Sequence, residues 1–336
     1  MKGCAMKRLT YFVVILALIY GSYWVAGSYA VENAAQAQLK KLQNDGWDVD
    51  YSSLKTRGFP SRFDTTATDI SIETPDRAFK YEAAMVQTLA LSYQPNRMII
   101  AFPPTQTVSL NGLPITVTSE ALRASAGVAA NTALSLDTIT AEAAHLAISI
   151  APDRQISLSN LLIALREAGT LPYTYDTYAS VTDIALPSSL MSQINPTSGL
   201  PTIIEAAIFD ASLTLDRPLD RHTVHDWSRE PAQLRGVTLR SLALTWGAFL
   251  ISGDGAFTVD AAGTPDGTIT IIFNDWKGML AAAQSAGMIP DQYKFMAQSI
   301  GQTLSQGEEA LVLPITVQNG NLSIGPLPLG PSPKLH

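Results

Sequence analysis

The chain has 336 residues, of which 46% are apolar and only 15% charged, with a formal net charge of -7. The apolar share suffices for one large or two ordinary domains and excludes a disordered chain, while Ser, Thr, Ala, Gly and Pro in place of charge favour short strands and turns. The acidic balance argues against non-specific nucleic-acid binding, and the single cysteine, Cys4, leaves the rest of the chain without a disulfide or a thiolate metal site.

No charged residue occurs from Leu9 to Val31, and about 20 apolar residues suffice to cross a bilayer as a helix. Lys2, Lys7 and Arg8 precede this stretch and Glu32 follows it, so the positive-inside bias places the N-terminus in the cytoplasm and the later chain outside. Tyr20, Tyr23, Trp24 and Tyr29 cluster towards the far end, as an interfacial aromatic belt does. Residues 1–31 therefore read as a transmembrane anchor, in membrane contact through 9–31. Ser28-Tyr29-Ala30 also has the small-residue spacing of a signal-peptidase site, which would make the mature protein a secreted one. Cys4 precedes the apolar run, whereas a lipid-modified cysteine would follow it.

Glu32 to Asn44 reads as a short polar helix, a stalk over 32–46 closed by Gly46. Strand text follows in Trp47–Tyr51 and in Phe63–Ile72, where Phe63, Thr65 and Ala67 share a face before the phase shifts at Asp69-Ile70. Arg57-Gly58-Phe59-Pro60 marks a sharp bend between them. Short β segments continue through Tyr81–Tyr93, Arg97–Phe102, Thr107–Leu110, Ile115–Ser119 and, as two strands, Leu134–Ile150. The cleanest alternation sets Ala207, Phe209, Ala211, Leu213 and Leu215 against Ile208, Asp210, Ser212, Thr214 and Asp216, predicting a strand with one wet face. Helices are expected at Asn160–Ala168, Val224–Leu234, Asp275–Ala286 and Pro290–Ser305. They interrupt the strands rather than alternate with them, so the expected fold is α+β, predominantly antiparallel β, with curved sheets and a few inserted helices.

Laying Ile139–Pro172 over Phe257–Pro290 without a gap matches Thr140 with Thr258, Leu162 with Leu280, Ala168-Gly169 with Ala286-Gly287, and Pro172 with Pro290. This predicts an internal duplication, with one β-rich module over 47–200 and another over 201–336. Asp254-Gly255, Asp266-Gly267 and Asn319-Gly320 read as hairpin turns in which Gly supplies positive φ.

Trp246-Gly247, Gly253-Asp254-Gly255, Asp260-Ala261-Ala262-Gly263, a helix ending Ala286-Gly287, and Leu313–Gly320 running into Gly325–Gly330 form an ordered signature. With the anchor and Arg57-Gly58-Phe59-Pro60, it resembles the proteobacterial domain of unknown function 2125 family along nearly the whole chain. The Gly-Phe-Pro bend and the closing Asn-Gly-x-Leu-x-Ile-Gly-Pro-Leu segment also look like AsmA-like envelope proteins, which are associated with lipid homeostasis and transport. The resemblance implies an envelope protein of the bacterial inner membrane with its bulk in the periplasm, and supplies no mechanism.

His222-Thr223-Val224-His225-Asp226 is the one local cluster of metal-ligand types; His222 and His225 on one helix face would need a third ligand from Asp220 or Asp226, and the flanking Asp220-Arg221 and Arg229-Glu230 favour a solvated helix start instead. Asp254, Asp260 and Asp266 recur evenly but lack the spacing of a calcium loop. There is no Gly-x-Ser-x-Gly elbow, and only His145, His222, His225 and His336 are available as a base. No phosphate-binding loop occurs, and no cofactor is expected. Tyr173, Tyr175 and Tyr178 follow Pro172 and read either as the wall of a ligand groove or as packing over the sheet end. The leading expectation is a non-enzymatic, membrane-anchored domain that binds or passes envelope lipid or another apolar ligand. The alternatives are an adaptor that meets an envelope protein through sheet edges and the tail from Pro326 to Pro333, and a hydrolase.

Overall fold

A computed structural model describes residues 2–335 except 152, 170, 195–200, 227–229, 286 and 288. It divides into two compact units, Met1–Val117 with Ala121–Ser125, and Thr118–Glu120 with Ala126–His336.

The first unit is built on one uninterrupted helix, α1 (Lys2–Asn44). Anchor and stalk are thus a single element, ending where Gly46 takes φ +89 and the Gly46 and Trp47 amides donate back to the Gln43 and Leu42 carbonyls. The strands are β1 (Asp48–Asp50), β2 (Ser53–Arg57), β3 (Arg62–Glu73), β4 (Phe79–Leu91), β5 (Gln94–Ala101), β6 (Thr105–Leu110), β7 (Leu113–Thr118) and β8 (Ala121–Val128), the last running across the division between the units. β3 pairs antiparallel with β1 and β2 on one side and β4 on the other, and β4 carries β5 along one half and β6 along the other. Phe63, Thr65 and Ala67 are buried on one face of β3, and Asp69, at φ +51, passes the buried side to Ile70. Ala67, Ile70 and Ala83 form the core, packed by Leu54, Ile72, Tyr81 and Val86. Burial pushes the Tyr81 hydroxyl up to about 12 and leaves it donating to Gln106 Oε1 at 2.6 Å.

The outer half of α1, the stalk residues included, lies along this sheet. Tyr20 donates to the Pro60 carbonyl (3.0 Å), Tyr23 to the Ser92 carbonyl (2.6 Å) and the Trp24 indole to the Arg62 carbonyl (2.8 Å). Further along, Glu32 accepts from the Thr56 amide at 3.0 Å, and Gln43 donates to the Val49 carbonyl at 2.8 Å. A Cβ at Gly27 would stand 2.6 Å from Cζ of buried Phe63, so helix and strand approach as closely as they do because residue 27 has no side chain.

The second unit is an antiparallel meander of ten strands in chain order: β9 (Leu136–Ala151), β10 (Arg154–Glu167), β11 (Thr174–Ala185), β12 (Ile203–Leu215), β13 (Leu234–Trp246), β14 (Phe249–Val259), β15 (Pro265–Phe273), β16 (Leu311–Gln318), β17 (Asn321–Ile324) and β18 (Leu327–Pro331). Helices α2 (Ser188–Ile194), α3 (Arg221–Asp226), α4 (Trp276–Ser285) and α5 (Lys294–Ser305) are inserted between strands.

Several expectations are corrected. Asn160–Ala168 is not a helix: Asn160–Glu167 belongs to β10, hydrogen-bonded on both sides to β9 and β11. Within Leu134–Ile150 there is one strand, β9, starting at Leu136, rather than two, and the helix expected over 224–234 is the shorter α3, with Leu234 already in β13. Because 139–172 carries strands where 257–290 carries a helix, the aligned segments do not share their elements, and the duplication is not confirmed. β11 pairs with β12 across the boundary expected at residue 200, and the compact units part near residues 117–126 instead. Asn319-Gly320 does form the two-residue turn between β16 and β17. Asp254-Gly255 and Asp266-Gly267, however, lie inside β14 and β15. There a Cβ on Gly255 would come 2.3 Å from the Thr268 carbonyl oxygen and one on Gly267 2.3 Å from that of Ala256.

The contact at Gly27 is directly testable. Gly27→Val forces the branched side chain into the Phe63 ring, and overpacking of this kind costs about 1–3 kcal/mol. Thermal unfolding of the full chain in detergent should show a lower midpoint, partly restored by Phe63→Leu; an unchanged midpoint would show that helix and sheet are not in close packing.

Candidate functional site

Counting through the register from β11 to β17 separates the meander into two chemically different faces. One carries Thr174, Asp176, Ser212, Thr214, Thr238, Arg240, Thr268, Thr316 and Ser323; the other carries Tyr175, Ala211, Leu213, Leu239, Ile269, Phe273, Leu313 and Ile324. The wet face expected for β12 is therefore present and extends well beyond that strand.

On the polar face, Arg240 pairs with Asp210 and, at 3.0 Å, with Asp176; Ser212 donates to Asp176 at 2.7 Å; and Arg166 reaches Asp176 at 3.3 Å. Thr174 with Thr214, and Thr268 with Thr316, close hydroxyl pairs at 3.1 and 2.9 Å. A shallow polar depression of about 530 Å³ lies here, bounded by Arg166, Glu167, Thr174, Asp176, Ser212 and Arg240. Arg166, Asp176 and Arg240 are engaged with one another.

The apolar face is covered in two ways. Near β11, Tyr175 is only 1% exposed, and its hydroxyl accepts from the Leu219 amide at 2.7 Å. Near β15–β18, α4 and α5 lie over the strands without filling the space beneath them. A groove of about 460 Å³ remains, and all fourteen of its lining residues are apolar. Met279 and Leu280 enter from α4, Met296, Ile300 and Leu304 from α5, and Phe273, Leu311, Leu313, Ile324, Leu327 and Leu329 from the strands and the segments beside them. Trp276 closes one side. It is buried against Gly301, where a Cβ would stand 2.3 Å from the indole Cζ3, so α4 and α5 touch only because residue 301 is glycine.

The tyrosines singled out from the sequence do not share a site. Tyr173 precedes β11 at φ +55 and is exposed, Tyr175 is interior, and Tyr178, three residues further along the strand, points to the opposite face from Tyr175. His222 is exposed, and its Nε2 faces Arg221 Nε at 3.3 Å. Asp220 caps this helix start through the His222 and Thr223 amides, both at 2.9 Å. The side chain of His225, and His336, lie outside the described residues. His145 meets Glu120 at 3.0 Å with both side chains exposed. Asp260 accepts from the Ala262 and Thr264 amides at 2.8 Å, and Asp254 and Asp266 are strand residues. Among the described residues no three His, Cys, Asp or Glu side chains converge. The tail from Pro326 to Pro333 includes β18, and beyond it Leu335 donates to the Gly263 carbonyl at 2.8 Å.

The groove was missed from the sequence although half its signal is local. Met296, Ile300 and Leu304 repeat every four residues along one face of the helix expected at 290–305. Their partners Leu327 and Leu329 arrive from the far end of the chain.

The profile of the family described as "Uncharacterized protein conserved in bacteria (DUF2125)" matches residues 24–333. The chain belongs to this family. No curated protein and no solved structure matches it, so the likeness to AsmA-like proteins remains an analogy. The family match begins at Trp24, inside α1, and runs through the groove to the tail.

The polar face should govern acid stability. The Asp176 carboxyl is held below the usual carboxylate range by the Ser212 hydroxyl, with partial burial opposing and Arg240 and Arg166 reinforcing the shift. Because its folded-state value is depressed, the stabilisation is present above the ordinary carboxylate range, near pH 4, and is lost as pH falls through the lower folded value. As pH falls from about 5 through that lower value, Asp176→Asn should flatten the fall in unfolding free energy; a slope equal to that of the unmodified chain would remove Asp176 from this role.

Proposed function

We propose that the protein is a single-pass, membrane-anchored domain facing the periplasm, and that the groove beneath α4 and α5 holds an apolar ligand of acyl-chain type, binding or passing it without chemical change. The observation that carries this reading is the groove itself: about 460 Å³ with a wholly apolar lining, within the roughly 300–1,000 Å³ of ordinary ligand sites. Apolar walls and no converging polar groups suit an aliphatic chain recognised by burial alone.

Retention of α1 is supported by its packing. α1 includes one stretch long and apolar enough to cross a membrane, and cleavage after Ala30 would remove Tyr20, Tyr23, Trp24 and Gly27, the residues that dock the helix onto the first sheet. A signal segment has no need of such contacts. The adaptor reading is less well supported, because the proline-rich tail is folded into β18 and Pro328 and Pro331 have no amide N–H to offer an added strand.

Photoaffinity labelling of the full chain with a diazirine fatty acid, followed by peptide mapping, tests the groove. Adducts are expected on the α4 and α5 peptides around Leu280 and Ile300. Ile300→Asp, which places a charge in the groove, should cut labelling at least about tenfold, equivalent to ~1.4 kcal/mol of affinity, and Leu304→Trp should do likewise by filling the space. Adducts confined to α1, or unaffected by either substitution, would sink the proposal.

A further inference from the structure

We infer that the first β unit does not stand clear of the membrane but inserts two loop tips, carrying Phe59 and Tyr93, into the outer leaflet of the bilayer that α1 crosses. This inference rests on the anchor reading above and adds to it a lipid-contacting surface on the folded domain.

Leu9 follows Lys7 and Arg8, and Tyr20 is hydrogen-bonded to the sheet unit's loops. The eleven steps between them rise about 17 Å, roughly half of the ~30 Å hydrocarbon layer. Counting from Lys7 to Trp24 instead gives about 26 Å, close to the full thickness once Lys7 and Arg8 extend towards the headgroups. The outer boundary therefore lies at Trp24 or beyond it. Whatever packs beside Tyr20 and Tyr23 is beneath that boundary.

Two loops pack there. One is the bend Gly58–Ser61, whose Phe59 ring stands edge-on to Trp24 at 5.4 Å between centroids. The other is the β4–β5 turn, whose Ser92 is fully buried against Tyr20 and Tyr23 while the next residue turns outward. Phe59 and Tyr93 are 62% and 65% exposed, large aromatic surfaces presented at the level of the helix's own aromatic belt.

Backbone chemistry supports the same placement. Irregular backbone at membrane depth is tolerated only where its polar groups find partners. Here the Tyr20, Tyr23 and Trp24 donors satisfy the Pro60, Ser92 and Arg62 carbonyls, and the Arg62 and Ser92 amides donate to the Gly58 and Ser61 carbonyls, each at 2.9 Å. Arg57, exposed just before the bend, carries a guanidinium that can meet lipid phosphates, whereas Arg62 after it is paired with Asp64 at 2.9 Å. The opposite end of the unit, where Phe79 pairs with Leu110, lies about 40 Å away along β4.

The test uses the full chain with Cys4→Ser, reconstituted in phosphatidylethanolamine–phosphatidylglycerol vesicles. A polarity-sensitive fluorophore is attached through Phe59→Cys, Tyr93→Cys, Ile15→Cys or Leu110→Cys. Labels at 59 and 93 should be quenched by shallow nitroxide lipids and be several-fold less quenched by aqueous iodide than the label at 110. Iodide access at 59 and 93 equal to that at 110, with the label at 15 still protected, overturns the inference and leaves the anchor standing. Iodide access at 15 as well overturns both.

Discussion

The contact between Gly27 and Phe63 ties the helix that carries the apolar stretch to the first sheet. Before it in the chain lies the run long and apolar enough to cross a membrane; after it, the same helix continues along the strands. Fixing the helix against β3 at this point sets the height of the sheet unit relative to the apolar span, since an α-helix cannot be lengthened or shortened between two of its own residues. The hydrogen bonds from Tyr20, Tyr23 and Trp24 reinforce the register, because each reaches a backbone carbonyl rather than a mobile side chain.

The second unit solves a different problem. A ten-stranded antiparallel meander has one face that water can cover and one that it cannot. On the wet face, Asp176, Ser212, Arg240 and Asp210 satisfy one another across neighbouring strands. On the other, Ala211, Tyr175 and Leu239 are covered, and α4 and α5 extend that cover towards the end of the sheet, leaving the groove. Phe295, 83% exposed on α5, shows that this helix also carries apolar surface away from the sheet.

How much of this was legible in the sequence depends on how local each signal is. The alternation Phe63, Thr65, Ala67 and its break at Asp69 translate directly into burial, because the pleat repeats every two residues. Asn160–Ala168 misled because Leu161-Leu162-Ile163-Ala164-Leu165 is a continuous apolar run, which periodicity alone cannot divide between a buried strand and a helix. The neighbours on both sides, β9 and β11, decide it. Asp254-Gly255 and Asp266-Gly267 carry turn composition yet lie opposite each other's strand, where glycine lets two backbones approach. The stalk reads as a short polar helix, and nothing local to it shows that Glu32 meets Thr56 and Gln43 meets Val49. Tyr175 was grouped with Tyr173 and Tyr178 by spacing along the chain, although Tyr173 lies before the strand at positive φ and Tyr178, an even position, faces away from Tyr175.

The contrast between the two faces of the meander bears on function more than any single residue does. A polar network whose charges are already paired has little left to offer a ligand, since recruiting Arg240 would strand Asp210 and Asp176 without their partner. An apolar groove is in the reverse condition: its walls are unsatisfied by water and gain from any hydrocarbon that enters. Helices α4 and α5 are held together by Trp276 against Gly301. The groove is therefore supported by a fixed contact rather than by its own filling.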